Sequence, residues 1–371
     1  MRNISIRSTW VLLVLALISI MAIFLVEKTQ QLTKQEFYEE KLAAAELNLK
    51  YQQYLKQKNF LNEISIDNIN DPNGTRLIGT RYSEITSGRG SLPIKLSTTN
   101  PNFAALIIEL LKESGVEKGD HVAVCATGSF PAINIAYLAA SEVLGLKTTF
   151  ISSVTSSSWG ANDPNYTYLD MHNHLYQAGL VSFQVVGASI GANQDIGRTL
   201  TPSGREAAII AIERNNIPLI NGTSLRDNVL KRIEIIKDNE NKFEKEISLF
   251  INIGGGVASL GSSDNHDNIP SGLVLDPKLN QFKDRTGVLF EMVALKGVPF
   301  INFLNINRIM DKYGLPKDPV PLPNPGEGEL FEHLEYNLNL VIGLTLLLIV
   351  FITAIILYDN HQNKLGQNVI K

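Results

Sequence analysis

Three short segments of this chain combine residue types that can bind or react with a polar ligand. In the first, Ala126-Thr127-Gly128-Ser129-Phe130-Pro131, an apolar run meets a proline that can open a helix, where a missing N–H costs little. Gly128 lets the backbone turn, and Ser129 could either cap the helix or meet an anion among its free N–H groups. The flanking residues make neither a G-x-S-x-G nucleophile elbow nor a P-loop, which would need a lysine here. The second segment, Ser152–Asp163 (SSVTSSSWGAND), concentrates hydroxyls around a tryptophan. Ser157, Ser158 and Asn162 could hold a polar chain by hydrogen bonds, with Trp159 as its platform. The competing reading is a polar surface loop, which would have no need of Trp159. The third, Gly254-Gly255-Gly256, allows close backbone approach and an anion-binding nest, or simply a tight turn.

Catalysis at these loops would need a nucleophile and a base. Ser129 is a candidate nucleophile, with His172 or His174 as base and Asp163 or Asp195 to orient it, and Ser153 and Asp163 are further catalytic candidates. Asp170, His172 and His174 also suggest a metal, but on a helix His172 leaves the face that the other two share, so no metal or other cofactor is expected. Arg198 and Arg205 flank a helix start at Thr201-Pro202-Ser203, and either could clamp a carboxylate. Cys125 is the single cysteine, lies in an apolar run and reads as a core residue.

The elements that would position these loops alternate. Residues 101–114 have helical periodicity, His121–Thr127 is a short apolar strand, Pro131–Leu144 a helix, and residues 148–153 a strand. A helix near 168–178, a strand over 181–186, a helix over 203–215 and further runs at 217–220, 225–237 and Ile247–Ile253 continue the pattern to a late strand over 298–304. This alternation predicts an α/β domain over residues 63–313, with a mostly parallel Rossmann-like sheet and helices on both faces. In such sheets ligands bind beyond the carboxyl ends of the strands, where all three loops fall.

The two ends differ from the middle. The chain is 44% hydrophobic and 19% charged, but much of its apolar content lies in Trp10–Val26 and Leu338–Tyr358. A helix needs roughly 20 residues to cross a bilayer core, so residues 8–27 and 338–358 are expected to span a membrane. The first could instead be a cleaved signal peptide, but its apolar run is long and no small-x-small site follows it. Arg2 and Arg7 before the first span, and Lys364 and Lys371 in the 359–371 tail, favour both termini in the cytoplasm and the domain outside. Residues 28–62 read as an amphipathic stalk helix, either packed on its own domain or forming a homodimer through a coiled coil. Residues 314–337 begin with five prolines and read as an extended spacer. The net charge of −4 gives no reason to expect nucleic acid.

TGSFPAINIAYLAASEVLG (Thr127–Gly145), ISSVTSSSWGANDPNYTYLDM (Ile151–Met171) and INIGGGVASLG (Ile251–Gly261) together resemble the bacterial poly-γ-glutamate system protein. DPNGTRLIG (Asp71–Gly79) and TNPNFAALIIELLKESGV (Thr99–Val116) fit the same family. The resemblance implies a membrane-anchored accessory protein of poly-γ-glutamate synthesis or export, in contact with the polymer or with synthase and export subunits. It transfers no catalytic residue. The ligand-binding residues expected from the loops themselves are Thr127, Gly128, Ser129, Ser157, Ser158, Trp159, Asn162, Gly254, Gly255 and Gly256. A hydrolase or transferase acting on the polymer and an inactive scaffold are the alternatives.

Overall fold

The computed structural model describes residues 8–61, 67–279, 282 and 284–368. The chain forms two units, one of Glu36–Phe331 and one of Met1–Gln35 with Glu332–Lys371. The larger unit is α/β. Its main sheet contains β1 (His121–Thr127), β2 (Lys147–Ser153), β3 (Val185–Ser189), β4 (Ile247–Ile253), β5 (Gly272–Val274) and β6 (Phe300–Phe303). These lie in the order β5-β6-β4-β1-β2-β3 and are parallel except for β5.

The strand residues explain this layering. β1 reads HVAVCAT and is buried throughout, as a central parallel strand covered on both faces must be. Alternate side chains point to opposite faces. Val122, Val124 and Ala126 join a core with Leu110 and Ile133, from the helices Phe103–Glu113 and Pro131–Leu144. Ala123 and Cys125 face a second core containing Val229, Ile233 and Phe290, from the helices Leu225–Phe243 and Val288–Lys296. Burial pushes the Cys125 thiol up to about 12, so it is an unreactive core group. The helix Pro131–Leu144 ends at Gly145, whose φ of 64° supplies the left-handed turn into β2.

One expected strand shifts: residues 181–186 give way to β3 at Val185–Ser189, because the chain must first leave the helix Tyr168–Gln177 through Gly179. Ile217–Ile220 contributes only a bridge, between Leu219 and Ala188.

The stalk is not one helix. A helix over Thr9–Lys28 is followed by a strand at Gln31–Lys34 and a second helix at Tyr38–Leu61. That second helix buries Lys41, Ala44, Ala45, Asn48, Tyr51, Gln52 and Leu55, at the three- and four-residue spacing of one helical face. Asn48 donates to Pro101 O at 2.9 Å, and Lys41 pairs with Glu109. The stripe is therefore used inside its own domain. The proline-rich stretch is also no free spacer. Asn102 Nδ2 donates to Asn324 O and Glu327 O, Asp318 N donates to Ser97 Oγ, and Asn73 Nδ2 donates to Pro319 O. Leu330 and Phe331 end the stretch in the core.

In the smaller unit Gln31–Lys34 pairs antiparallel with Glu332–Glu335, placing Gln31 opposite Glu335 and Lys34 opposite Glu332. The helices Thr9–Lys28 and Leu338–Asn368 adjoin this ribbon in sequence. Thr9–Lys28 and Leu338–Gln362 are long and apolar enough to cross a membrane, and their apolar windows are unburied. Met21, Leu25 and Leu347 line a groove that the two helices share. Arg2, Arg7 and Lys371 lie outside the described residues, as does the side chain of Lys364.

Candidate functional site

Parallel register brings the strand ends into one row. Thr127 of β1 stands beside Ser153 of β2, which stands beside Ser189 of β3, and Ala126 stands beside Ile253 of β4. The chain leaves β1 toward β2 and β3 on one side, while β4 and β6 extend the sheet on the other. The crevice between β1 and β4 is thus where the winding direction changes, the usual ligand position in an open parallel sheet.

Two adjoining pockets open there. The larger, of about 740 Å³, is lined by Thr127, Ser129, Ser153, Thr155, Asp195, Gly255, Gly256 and Asp284, among others. The smaller, of about 380 Å³, is lined by Arg89, Lys95, Ser129, Phe130, Ser157, Gly255, His266 and Leu304, among others. Ser87, Ser129 and Gly255 belong to both. Among the described residues, acidic groups line the larger pocket and not the smaller, which presents three basic side chains.

Close backbone approach packs the turns behind these pockets, at Gly128, Gly160 and Gly254, which themselves line neither. A Cβ on Gly128 would lie 2.7 Å from Val154 O, and one on Gly160 would lie 2.6 Å from Ser129 O. Gly254 has φ 94°, and a Cβ there would meet Thr127 Oγ1 at 2.4 Å. Only glycine fits these positions without displacing those neighbours. Ser129 does not cap the following helix. Phe130 occupies the cap position without a side-chain bond, and Ser129 Oγ instead accepts from Ser157 N at 3.0 Å.

Other expected residues hold the site rather than line it. Ser158 N donates to Gly88 O, and Trp159, at φ 68°, donates its N–H to Thr80 O. Asn162 is buried and joins Thr80 N, Thr80 O and Thr86 Oγ1. Asp163 accepts from Asn165 N and lines neither pocket. Asp170 binds Arg214, and Arg205 donates to Leu200 O. Arg198 is exposed and also lines neither pocket.

His172 and His174 lie away from the three loops. His172 sits between Tyr168 OH, 3.1 Å away, and Phe183 O, 2.9 Å away, and burial pulls its pKa down to about 4. As pH falls below 6.5 the unfolded chain takes up a proton that the folded chain refuses until about 4. This one group is expected to remove about 3 kcal/mol of stability across that window. Urea unfolding midpoints at stepped pH should show a shallower decline in His172→Gln than in wild type; equal slopes would contradict the assignment.

Lys95 was not apparent from the sequence. It lies in the helix Leu92–Thr98, is 2% exposed and makes no ion pair among the described residues. Its Nζ is bonded to Ser129 O, lies 3.0 Å from Ser157 Oγ and sits 3.7 Å from the centre of the Phe130 ring. Burial lowers its pKa to about 7. His266 is the other addition. Its Nε2 is buried without a hydrogen-bond partner among the described residues, and burial lowers its pKa as well.

Beside the larger pocket Asp195 and Arg232 form a buried ion pair at 2.8 Å, and Ser189 Oγ bonds to both. The surrounding turn holds Ala192, Gln194 and Asp195 at φ of 60°, 58° and 62°. Left-handed non-glycine residues cost energy and cluster where a loop shape is functionally constrained.

Comparisons with protein-family models, curated proteins and solved structures find no match for the chain.

Proposed function

We propose that this chain is a double-pass inner-membrane protein with both termini in the cytoplasm, and that its outer-face α/β domain is an accessory part of poly-γ-glutamate synthesis or export. The two unburied apolar helices support the membrane placement. The sheet, with helices on both faces and its crevice at the change of winding direction, supports a Rossmann-like description. The observation that carries the ligand class is the smaller pocket, where the exposed Arg89 guanidinium stands beside the buried Lys95 and the buried Nε2 of His266 and no acid lines it among the described residues. A chain with one carboxylate per unit can place a carboxylate there and its amides against the hydroxyl-rich larger pocket.

Full-length protein in detergent micelles should retain fluorescent poly-γ-glutamate saturably, and added salt should weaken retention. Arg89→Gln is expected to lower affinity about tenfold, the effect of losing one charge-assisted contact. Equal retention of an uncharged polymer would remove the basis for this ligand. Topology is separately testable. An impermeant thiol reagent should label Asn241→Cys in intact cells, and Gln367→Cys, beyond the second span, only after the membrane is permeabilised. The second reading, a hydrolase or transferase of the same polymer, is favoured specifically by the contact between Lys95 and Ser157.

A further inference from the structure

We propose that Ser157 and Lys95 are a nucleophile and general base that transfer the acyl group of an amide within a carboxylate-bearing chain. The choice of substrate rests on the poly-γ-glutamate reading; the chemistry rests on the side chains themselves.

Ser157 is held where a nucleophile must be. It follows β2 at the strand-end crevice, pairs with Gly88 in a short parallel ladder and donates its N–H to Ser129 Oγ at 3.0 Å. Its Oγ is 3.0 Å from Lys95 Nζ, within the reach that general-base catalysis requires. A neutral amine has two N–H groups and one lone pair. Ser129 O accepts one N–H, and the Phe130 ring face can take the other. The lone pair is left for the Ser157 hydroxyl.

Burial without a carboxylate partner brings the Lys95 pKa to about 7, so the neutral form is available near neutral pH. Once the amine takes a proton, the ring beneath it favours the ammonium. A lysine needed only to tie down Ser129 O could be replaced by any neutral donor, and burying an ionisable group for that task would be costly. Arg89 and His266 complete the pocket, Arg89 suited to a substrate carboxylate and His266 Nε2, unpartnered among the described residues, to a further polar group of the chain.

The reaction follows from these roles. Lys95 Nζ takes the Ser157 hydroxyl proton as Oγ forms a bond to the amide carbonyl carbon. The resulting ammonium returns that proton to the amide nitrogen as the C–N bond breaks, releasing an amine and leaving an ester on Ser157. Water, giving its proton to Lys95, then attacks the ester. The C–O bond breaks, and Ser157 Oγ recovers its proton from Lys95. A second amine in place of water gives transfer instead of hydrolysis.

The test uses the full-length protein in micelles with two probes: poly-γ-glutamate, followed by chain length, and a fluorophosphonate, followed by mass spectrometry of the labelled peptide. Expected are shortening of the polymer, or its attachment to an added amine, and a label on Ser157. Both rates should rise as pH passes through about 7. Ser157→Ala and Lys95→Arg should each reduce both reactions at least 100-fold, because arginine keeps the charge but cannot act as a base near neutrality. A urea unfolding midpoint for Ser157→Ala equal to that of the wild type separates lost chemistry from lost folding. Binding without shortening, transfer or label would overturn this inference and leave the binding function standing. A pH-dependent label on Ser157 without polymer binding would support the pair and overturn the polymer as substrate. A label on another serine would overturn the assignment of Ser157.

Discussion

Asp195→Asn is expected to lower the stability of the α/β unit by about 3–5 kcal/mol, the usual cost of breaking one side of a buried ion pair. Asp195 and Arg232 are both nearly inaccessible, at 3% exposure each, and Arg232 has no other acid partner among the described residues. Asparagine is nearly isosteric and tolerates the φ of 62° at this position, so the loss isolates the charge from shape and backbone strain. The left-handed turn at Ala192, Gln194 and Asp195 depends on the same anchor, because Asp195 O also accepts from Asn228 Nδ2. Urea unfolding of the full chain in micelles provides the measurement. The double variant Asp195→Asn/Arg232→Met should regain much of the loss, since it removes the stranded guanidinium. A single-variant loss below about 1 kcal/mol would show that the pair is solvated.

The second large effect is a rise in stability with pH, where a surface lysine that keeps its ordinary pKa would give none. Lys95 is protonated in the unfolded chain up to about 10.5 but loses its proton near 7 when folded. Between these values the unfolded state holds more protons, so stability increases with pH. From pH 7 to 9.5 the gain from this residue is on the order of 3 kcal/mol. Above that range the buried Tyr51, Tyr137, Tyr166 and Tyr168 act in the opposite direction, because burial raises their pKa and the unfolded chain loses those protons first. Lys95→Met should flatten the slope between pH 7 and 9.5, as read from urea midpoints at three or four pH values. An unchanged slope would mean that Lys95 remains charged in its pocket. Because the readout is stability, it tests the lysine's protonation separately from any activity.

Much of the framework was legible because its strands are short, apolar and bounded by turn residues. His121–Thr127 and Ile247–Ile253 appear as strands with the expected bounds. With them came the strand-end positions of Ser129, Ser153 and Gly255. The site's basic side was not legible. Lys95 lies in a seven-residue helix, too short for periodicity to show which side is buried. His266 lies in a polar run that resembles any surface loop. Asp195 and Arg232 are far apart in sequence and meet only once β3 and the helix Leu225–Phe243 pack. The break in the stalk is hidden for a related reason: Gln31-Leu32-Thr33-Lys34 has helix-compatible composition, but its hydrogen-bonding partner lies some 300 residues away. The proline-rich stretch likewise acquires its fixed course from Ser97, Asn102 and Asn73, contacts that no local pattern records.

The ribbon that closes the chain on itself has a mechanical consequence. Gln31 and Glu335 are the pair next to the two apolar helices in sequence, while Lys34 and Glu332 are the pair next to the domain. Drawing the helices apart loads the ribbon at its outer pair and peels it open one rung at a time, a geometry that yields at low force. Lateral separation of the two helices is therefore met first by these four residue pairs.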